Sequence, residues 1–161
     1  MTQIMLKRIL LASAMLAAAV GGIHAEKVLG VSVGYASKAK APTGGVFFQM
    51  DIIPKLRVAP SFNYQFRHNS TDALIIDIDF HSPWNVAPTL RLYPLVGLSA
   101  ARRNISGDGK NESFDRLGLN LGGGAEWCPP SSHLKVFVEG KYNFVSDFGS
   151  AYVKAGIGYR F

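Results

Sequence analysis

The residues best equipped for chemistry lie close together near the middle of the chain. Asp77, Asp79 and His81 alternate in Asp77-Ile78-Asp79-Phe80-His81. On an extended backbone that spacing puts two carboxylates and an imidazole on one face, a donor set suited to a metal ion. His68 and Ser70, in Arg67-His68-Asn69-Ser70-Thr71-Asp72, could act as base and nucleophile in acyl transfer. Each group also has a plainer account. Basic residues elsewhere on the same face would neutralise the acids as salt bridges. Asn69 and Asp72 are turn formers, which makes the His68–Ser70 stretch a polar hairpin loop. Gly107-Asp108-Gly109 carries too few oxygen ligands for a calcium loop. Gly122-Gly123-Gly124 has no helix after it and so is not a phosphate loop. Cys128 is the only cysteine, which excludes an intramolecular disulfide and leaves it as a turn residue. The expectation is a protein without a catalytic, metal or cofactor site.

The elements that must carry these residues are strands. From residue 27 onward the hydrophobic period is two, and it can be read eight times, at about 27–37, 44–53, 56–68, 73–81, 89–102, 114–127, 133–145 and 151–161. The fourth is the cleanest, with Leu74, Ile76, Ile78 and Phe80 on one face and Asp77, Asp79 and His81 on the other. The last sets Val153, Ala155, Ile157, Tyr159 and the terminal Phe161 against Lys154 and Arg160. Pro60 and Pro94 fall inside strands, where a missing N–H interrupts the ladder, so a bulge or a shifted boundary is expected at one or both. The connections at 54–55, 82–85 and 128–132 form one set. Those at 38–43, 69–72, 104–113 and 146–150 form a second, more polar set, and all of these loops read as short.

The N-terminus has the pattern of a secretory signal. Lys7 and Arg8 precede an apolar run from Ile9 to Val20, and Gly21-Gly22-Ile23-His24-Ala25 resembles a cleavage region with Ala25 as the last residue removed. The run is too short for a comfortable membrane-spanning helix, and no later stretch could span a bilayer as one. Residues 1–25 are thus expected to be a signal peptide and 26–161 a single domain. Loss of Lys7 and Arg8 brings the formal charge from +6 to +4. The bases are scattered among strands and loops, which argues against nucleic acid as a partner.

Alternation alone fits a soluble sandwich as well as a membrane barrel. The even strand count, the export signal and the aromatic terminus favour an all-β, eight-stranded, antiparallel, up-and-down transmembrane β-barrel. Its apolar rows would meet lipid. Its interior, narrow enough to be filled by side chains, would hold a network of Asp51, Arg57, Asp77, Asp79, Arg91, Arg116, Glu126, Lys135, Glu139, Lys141 and Lys154, because buried charges persist only when paired. Hairpin geometry predicts Asp51 beside Arg57 and Glu126 beside Lys135. Gly122 and Gly124 would leave room for the large groups opposite them.

Three stretches are similar to the small eight-stranded outer-membrane β-barrel proteins, the group of opacity-type and porin-family barrels. They are Leu119-Asn120-Leu121-Gly122-Gly123-Gly124-Ala125-Glu126-Trp127, Phe137-Val138-Glu139-Gly140-Lys141-Tyr142-Asn143-Phe144, and Val153 to Phe161. The resemblance covers residues 26–161 and implies a location in the outer membrane of a Gram-negative bacterium, with lipid as the surroundings. It also implies that Val153, Ile157, Tyr159 and Phe161 form the signal read by the outer-membrane assembly machinery. A monomer without enzymatic activity, structural or engaged in surface contacts with an unspecified ligand, is the expectation. The short loops differ from those of dedicated adhesins. The His68–Ser70 pair is similar to that of small-barrel lipid A deacylases, whose pair lies near the end of the chain, and a lipid-modifying enzyme is the alternative. A soluble periplasmic barrel would need an apolar inner face that this sequence does not offer.

Overall fold

Strict alternation separates apolar from charged residues across the sheet, and a sheet with one charged face can hide that face by closing on itself. The computed structural model describes residues 25–107, 109–144 and 149–161. The expected signal peptide, apart from Ala25, and most of the last loop lie outside the described residues. The strands are β1 (Lys27–Ala36), β2 (Ala41–Ile53), β3 (Leu56–His68), β4 (Thr71–His81), β5 (Trp84–Asn85), β6 (Leu90–Gly107), β7 (Lys110–Trp127), β8 (Leu134–Phe144) and β9 (Ser150–Arg160). Eight are staves; β5 is a two-residue extension paired with Arg91 and Leu92. Every pairing is antiparallel, β4 meets β6, and β1 meets β9 from Val28↔Arg160 to Ala36↔Tyr152. The molecule is a closed eight-stranded β-barrel.

The outward face is apolar and largely exposed, as at Val33, Val46, Phe66, Leu98, Leu119, Val138 and Ile157. The inward face is polar and buried. Arg57, Lys135, Glu126, Asp77 and Asn120 are among its most enclosed side chains. A soluble protein of this size has the opposite arrangement. An apolar cluster inside comprises Val28, Phe47 and Phe137, with the two rings edge to face at 5.0 Å. Space for it comes from glycines: a Cβ on Gly158 would lie 2.6 Å from Val28 Cγ1, and one on Gly156 would lie 2.6 Å from Phe137 Cζ.

Three expectations about the strands need correction. The stretch 104–113 is not a loop: β6 and β7 continue their ladder without a register change from Leu90↔Trp127 to Gly107↔Lys110, forming a hairpin longer than any other. Neither proline makes a bulge. Pro94 keeps register with Gly123 and sits where the β4 ladder stops. Ser82 N donates to Pro94 O at 3.2 Å, and the reciprocal bond of that pair, from residue 94 to Ser82 O, is the one that proline cannot make. Pro60 pairs with Ile78, and β2 and β3 hold the same register on either side of it. The register shifts lie instead next to the turns, between Asp51 and Ile53 and between Gln65 and His68, where the chain reverses and a ladder is easiest to break.

Candidate functional site in the barrel interior

Inward-facing charges gather in two layers, because tilted staves bring residues far apart in sequence to the same height. The lower layer is built around Glu126 on β7. Arg57 on β3 clasps it with two hydrogen bonds, Nη1–Oε1 at 3.0 Å and Nη2–Oε2 at 2.9 Å. Lys135 Nζ on β8 lies 3.0 Å from Oε2, and Arg91 Nε on β6 makes an ion-pair contact of 2.9 Å with Oε1. Arg57, Glu126 and Lys135 are at most 1% exposed, so one carboxylate holds two fully enclosed cations and a third at its side. Such pairs are costly to assemble and costlier to break.

Glu26 closes this layer from below. Its carboxylate meets Arg91 at 3.0 Å, Lys135 at 3.4 Å and Arg160 at 3.9 Å. Partial burial alone would push the Glu26 carboxyl upward. Attraction from Lys135 and Arg91 outweighs it and holds the group below the ordinary carboxylate range. Asp51 is the exception. It faces Arg57 in register, but Arg57 is taken by Glu126, and Asp51 Oδ1 is buried without a hydrogen-bond partner. The predicted Asp51–Arg57 pair is therefore replaced by Arg57–Glu126. The other hairpin pair, Glu126 with Lys135, is in contact.

Above this layer His81 stacks on Tyr93, with ring centroids 4.4 Å apart. Arg57 Nη2 lies 3.1 Å from His81 Nδ1; a guanidinium can only donate, so Nδ1 accepts and the imidazole proton resides on Nε2. Tyr93 donates to Glu139 Oε2 at 2.8 Å, and Lys154 approaches Glu139 Oε1 at 3.2 Å. The upper layer centres on Lys141, which bridges Asp77 at 2.7 Å and Asp79 at 2.8 Å. Asn120 donates to the other oxygens of both acids, at 3.1 and 2.8 Å, and Asn143 donates to Asn120 at 2.6 Å. An ammonium occupies the position that a cation would need, and His81 points into a different cluster. Among the described residues no group of His, Cys, Asp and Glu could hold a metal ion.

Beside Asp77, Asn63, Ser99, Tyr152 and Lys154 a cavity of ≈ 20 Å³ remains, room for about one water. Two glycines make room for large inward groups: a Cβ on Gly124 would lie 2.6 Å from the Tyr93 ring, and one on Gly122 would lie 2.8 Å from Lys141 Cβ.

The remaining sequence candidates stand apart. His68 and Ser70 are both exposed at the β3–β4 turn; Ser70, with φ 63°, and Asn69, with φ 49°, are in the left-handed region that tight turns use. Nearby, Arg67 pairs with Asp72 at 3.3 Å. Arg116 lies higher on β7, opposite Ala101, and is half-buried. On the projecting hairpin Arg102 clasps Asp115 through Nε at 2.8 Å and Nη2 at 3.2 Å. That hydrogen bonding lowers the Asp115 carboxyl pKa. Cys128 is buried, 2.9 Å from Arg91 Nη2. Val153, Ile157, Tyr159 and Phe161 all lie on the exposed outer face. Glu26, His81, Tyr93, Asn120 and Asn143 belong to the network and were not among the charges expected there. The signal for all five is their inward parity, and the amides and the tyrosine carry no charge to draw notice.

No protein-family model matches this sequence, and no curated protein matches it. Solved structures do. The N-terminal β-barrel domain of Pseudomonas aeruginosa OprF superposes with a TM-score of 0.73 at 13% identity, covering 88% of this chain and 100% of that one. The fold is that of a small outer-membrane β-barrel. Neisserial surface protein A is similar at a TM-score of 0.66 and 15% identity, over 85% of this chain and 96% of its own. Ail, the attachment invasion locus protein of Yersinia pestis, gives 0.63 and 17%, over 85% and 97%. At such identities the likeness is one of backbone architecture alone.

Proposed function

We propose that the protein is an integral outer-membrane barrel, exported through a signal peptide that ends at Ala25, with a closed interior and a structural or surface-contact role rather than an enzymatic one. The observation that carries this reading is the inversion of the faces: exposed apolar side chains all around the outside, and enclosed ion pairs within. In water that arrangement would expose a continuous apolar belt far larger than a soluble monomer tolerates; in a bilayer it matches the surroundings on both sides. Lipid is then the principal partner of the outer face. The C-terminal strand, with Val153, Ile157, Tyr159 and Phe161 outward, is the segment offered to the assembly machinery. A filled interior argues against transport, and the exposure of His68 and Ser70 at a tight turn argues against lipid hydrolysis.

The test is fractionation of cells making the full chain, followed by gel electrophoresis of heated and unheated samples. The protein should enter the outer-membrane fraction and migrate differently before heating. A soluble protein whose mobility is indifferent to heat would overturn the reading. Lipid A examined by mass spectrometry should be the same with the native chain and with His68→Ala and Ser70→Ala.

A further inference from the structure

Glu26 and Asp51 occupy one rung of the sheet. Asp51 N donates to Glu26 O at 3.1 Å, one step beyond the Lys27↔Met50 pair that begins the β1–β2 ladder. Both side chains have inward parity, so two acids face each other directly, an arrangement that destabilises a sheet unless something intervenes. The Glu26 carboxylate turns away to Arg91, Lys135 and Arg160. Asp51 is left with a buried oxygen that has no hydrogen-bond partner, while the nearest cation in register, Arg57, is held by Glu126 at 2.9 Å. A missing hydrogen-bond donor is thus localised to the rung that Glu26 and Asp51 share.

Removal of a leader after Ala25 would put a positive charge on that rung. We propose that signal-peptide cleavage completes the interior network: the α-ammonium created on Glu26 is the ionic partner of Asp51. Hydrolysis of the Ala25–Glu26 peptide bond consumes one water and yields a carboxylate on Ala25 and an amine on Glu26. That amine is protonated at neutral pH. It replaces a peptide N–H, a single donor, with three donors and a charge, on the rung where Asp51 Oδ1 has no hydrogen-bond partner. Processing would then be a finishing step for the barrel as well as a release from the export pathway. The inference rests on the proposed export of the chain.

A four-way comparison tests it, using full-length precursors processed in a Gram-negative host. The native chain, a chain with Gly-Ser inserted between Ala25 and Glu26, the Asp51→Asn chain and the combination are purified from membranes. Intact mass reports the first residue. The insertion moves the ammonium out by up to about 7 Å and keeps every side chain of the barrel. The inserted residues should lower the folding equilibrium constant several-fold in the native background, read from urea unfolding in micelles, and should have little effect when Asp51 is Asn. An equal effect in both backgrounds, or none in either, would overturn the pairing. A mass showing retention of residues 1–25 would overturn the export reading separately.

Discussion

Glu126 shows how much depends on single residues in this interior. Its carboxylate is within 3.0 Å of Arg57, Arg91 and Lys135, and two of those cations have no access to water. Glu126→Gln keeps the shape and removes the charge, leaving buried cations uncompensated. The expected loss is about 3–5 kcal/mol of folding free energy, measured by urea unfolding in micelles through the fluorescence of Trp84 and Trp127. Arg102→Ala removes an equally well-formed pair that stands in water on the hairpin, and the same measurement should show no change in midpoint. The contrast separates desolvated pairs from exposed ones. It also marks the limit of the sequence at this scale. That Glu126 points inward is legible from its alternation with Trp127 and Ala125. That it meets Arg57, 69 positions away, is not, because the partner is fixed by how far the staves slide past each other on closure.

At the scale of elements, period two was a sufficient guide to the eight staves and to which face each residue takes. The neighbour of every stave followed from short connections. The β6–β7 hairpin was the exception. Its outer part reads Asn104-Ile105-Ser106-Gly107 and Lys110-Asn111-Glu112-Ser113, where polar residues occupy both parities. There is no alternation to read in such a stretch, yet the ladder continues because backbone hydrogen bonds need no particular side chain. Replacing residues 104–113 with a two-residue Asn-Gly turn should therefore keep the barrel and its heat-dependent gel mobility. Loss of the folded band would show that the hairpin braces the staves through Asn104–Asp72 at 3.3 Å and Ser106–Ser70 at 2.9 Å.

For the whole molecule the question is which solvent the outer face meets, and one substitution answers it. Leu98 lies on the belt and is 61% exposed. In water Leu98→Arg would be neutral; within a bilayer it should cost about 2–4 kcal/mol if the position is near the midplane. Comparing unfolding of the native and substituted proteins in phospholipid vesicles decides between the two. Closure was implicit in the sequence through the even strand count and the aromatic terminus, but the seam that achieves it joins the first stave to the last, β1 with β9. That seam has a consequence for biogenesis. A chain released early by the ribosome lacks β9 and leaves β1 and the last completed stave with unpaired backbone groups, which no lipid can satisfy. A product that stops before β7 also leaves the interior charges of β3 and β4 without their partners on β7 and β8. The barrel is thus a check on its own last stave: without β9 the seam stays open.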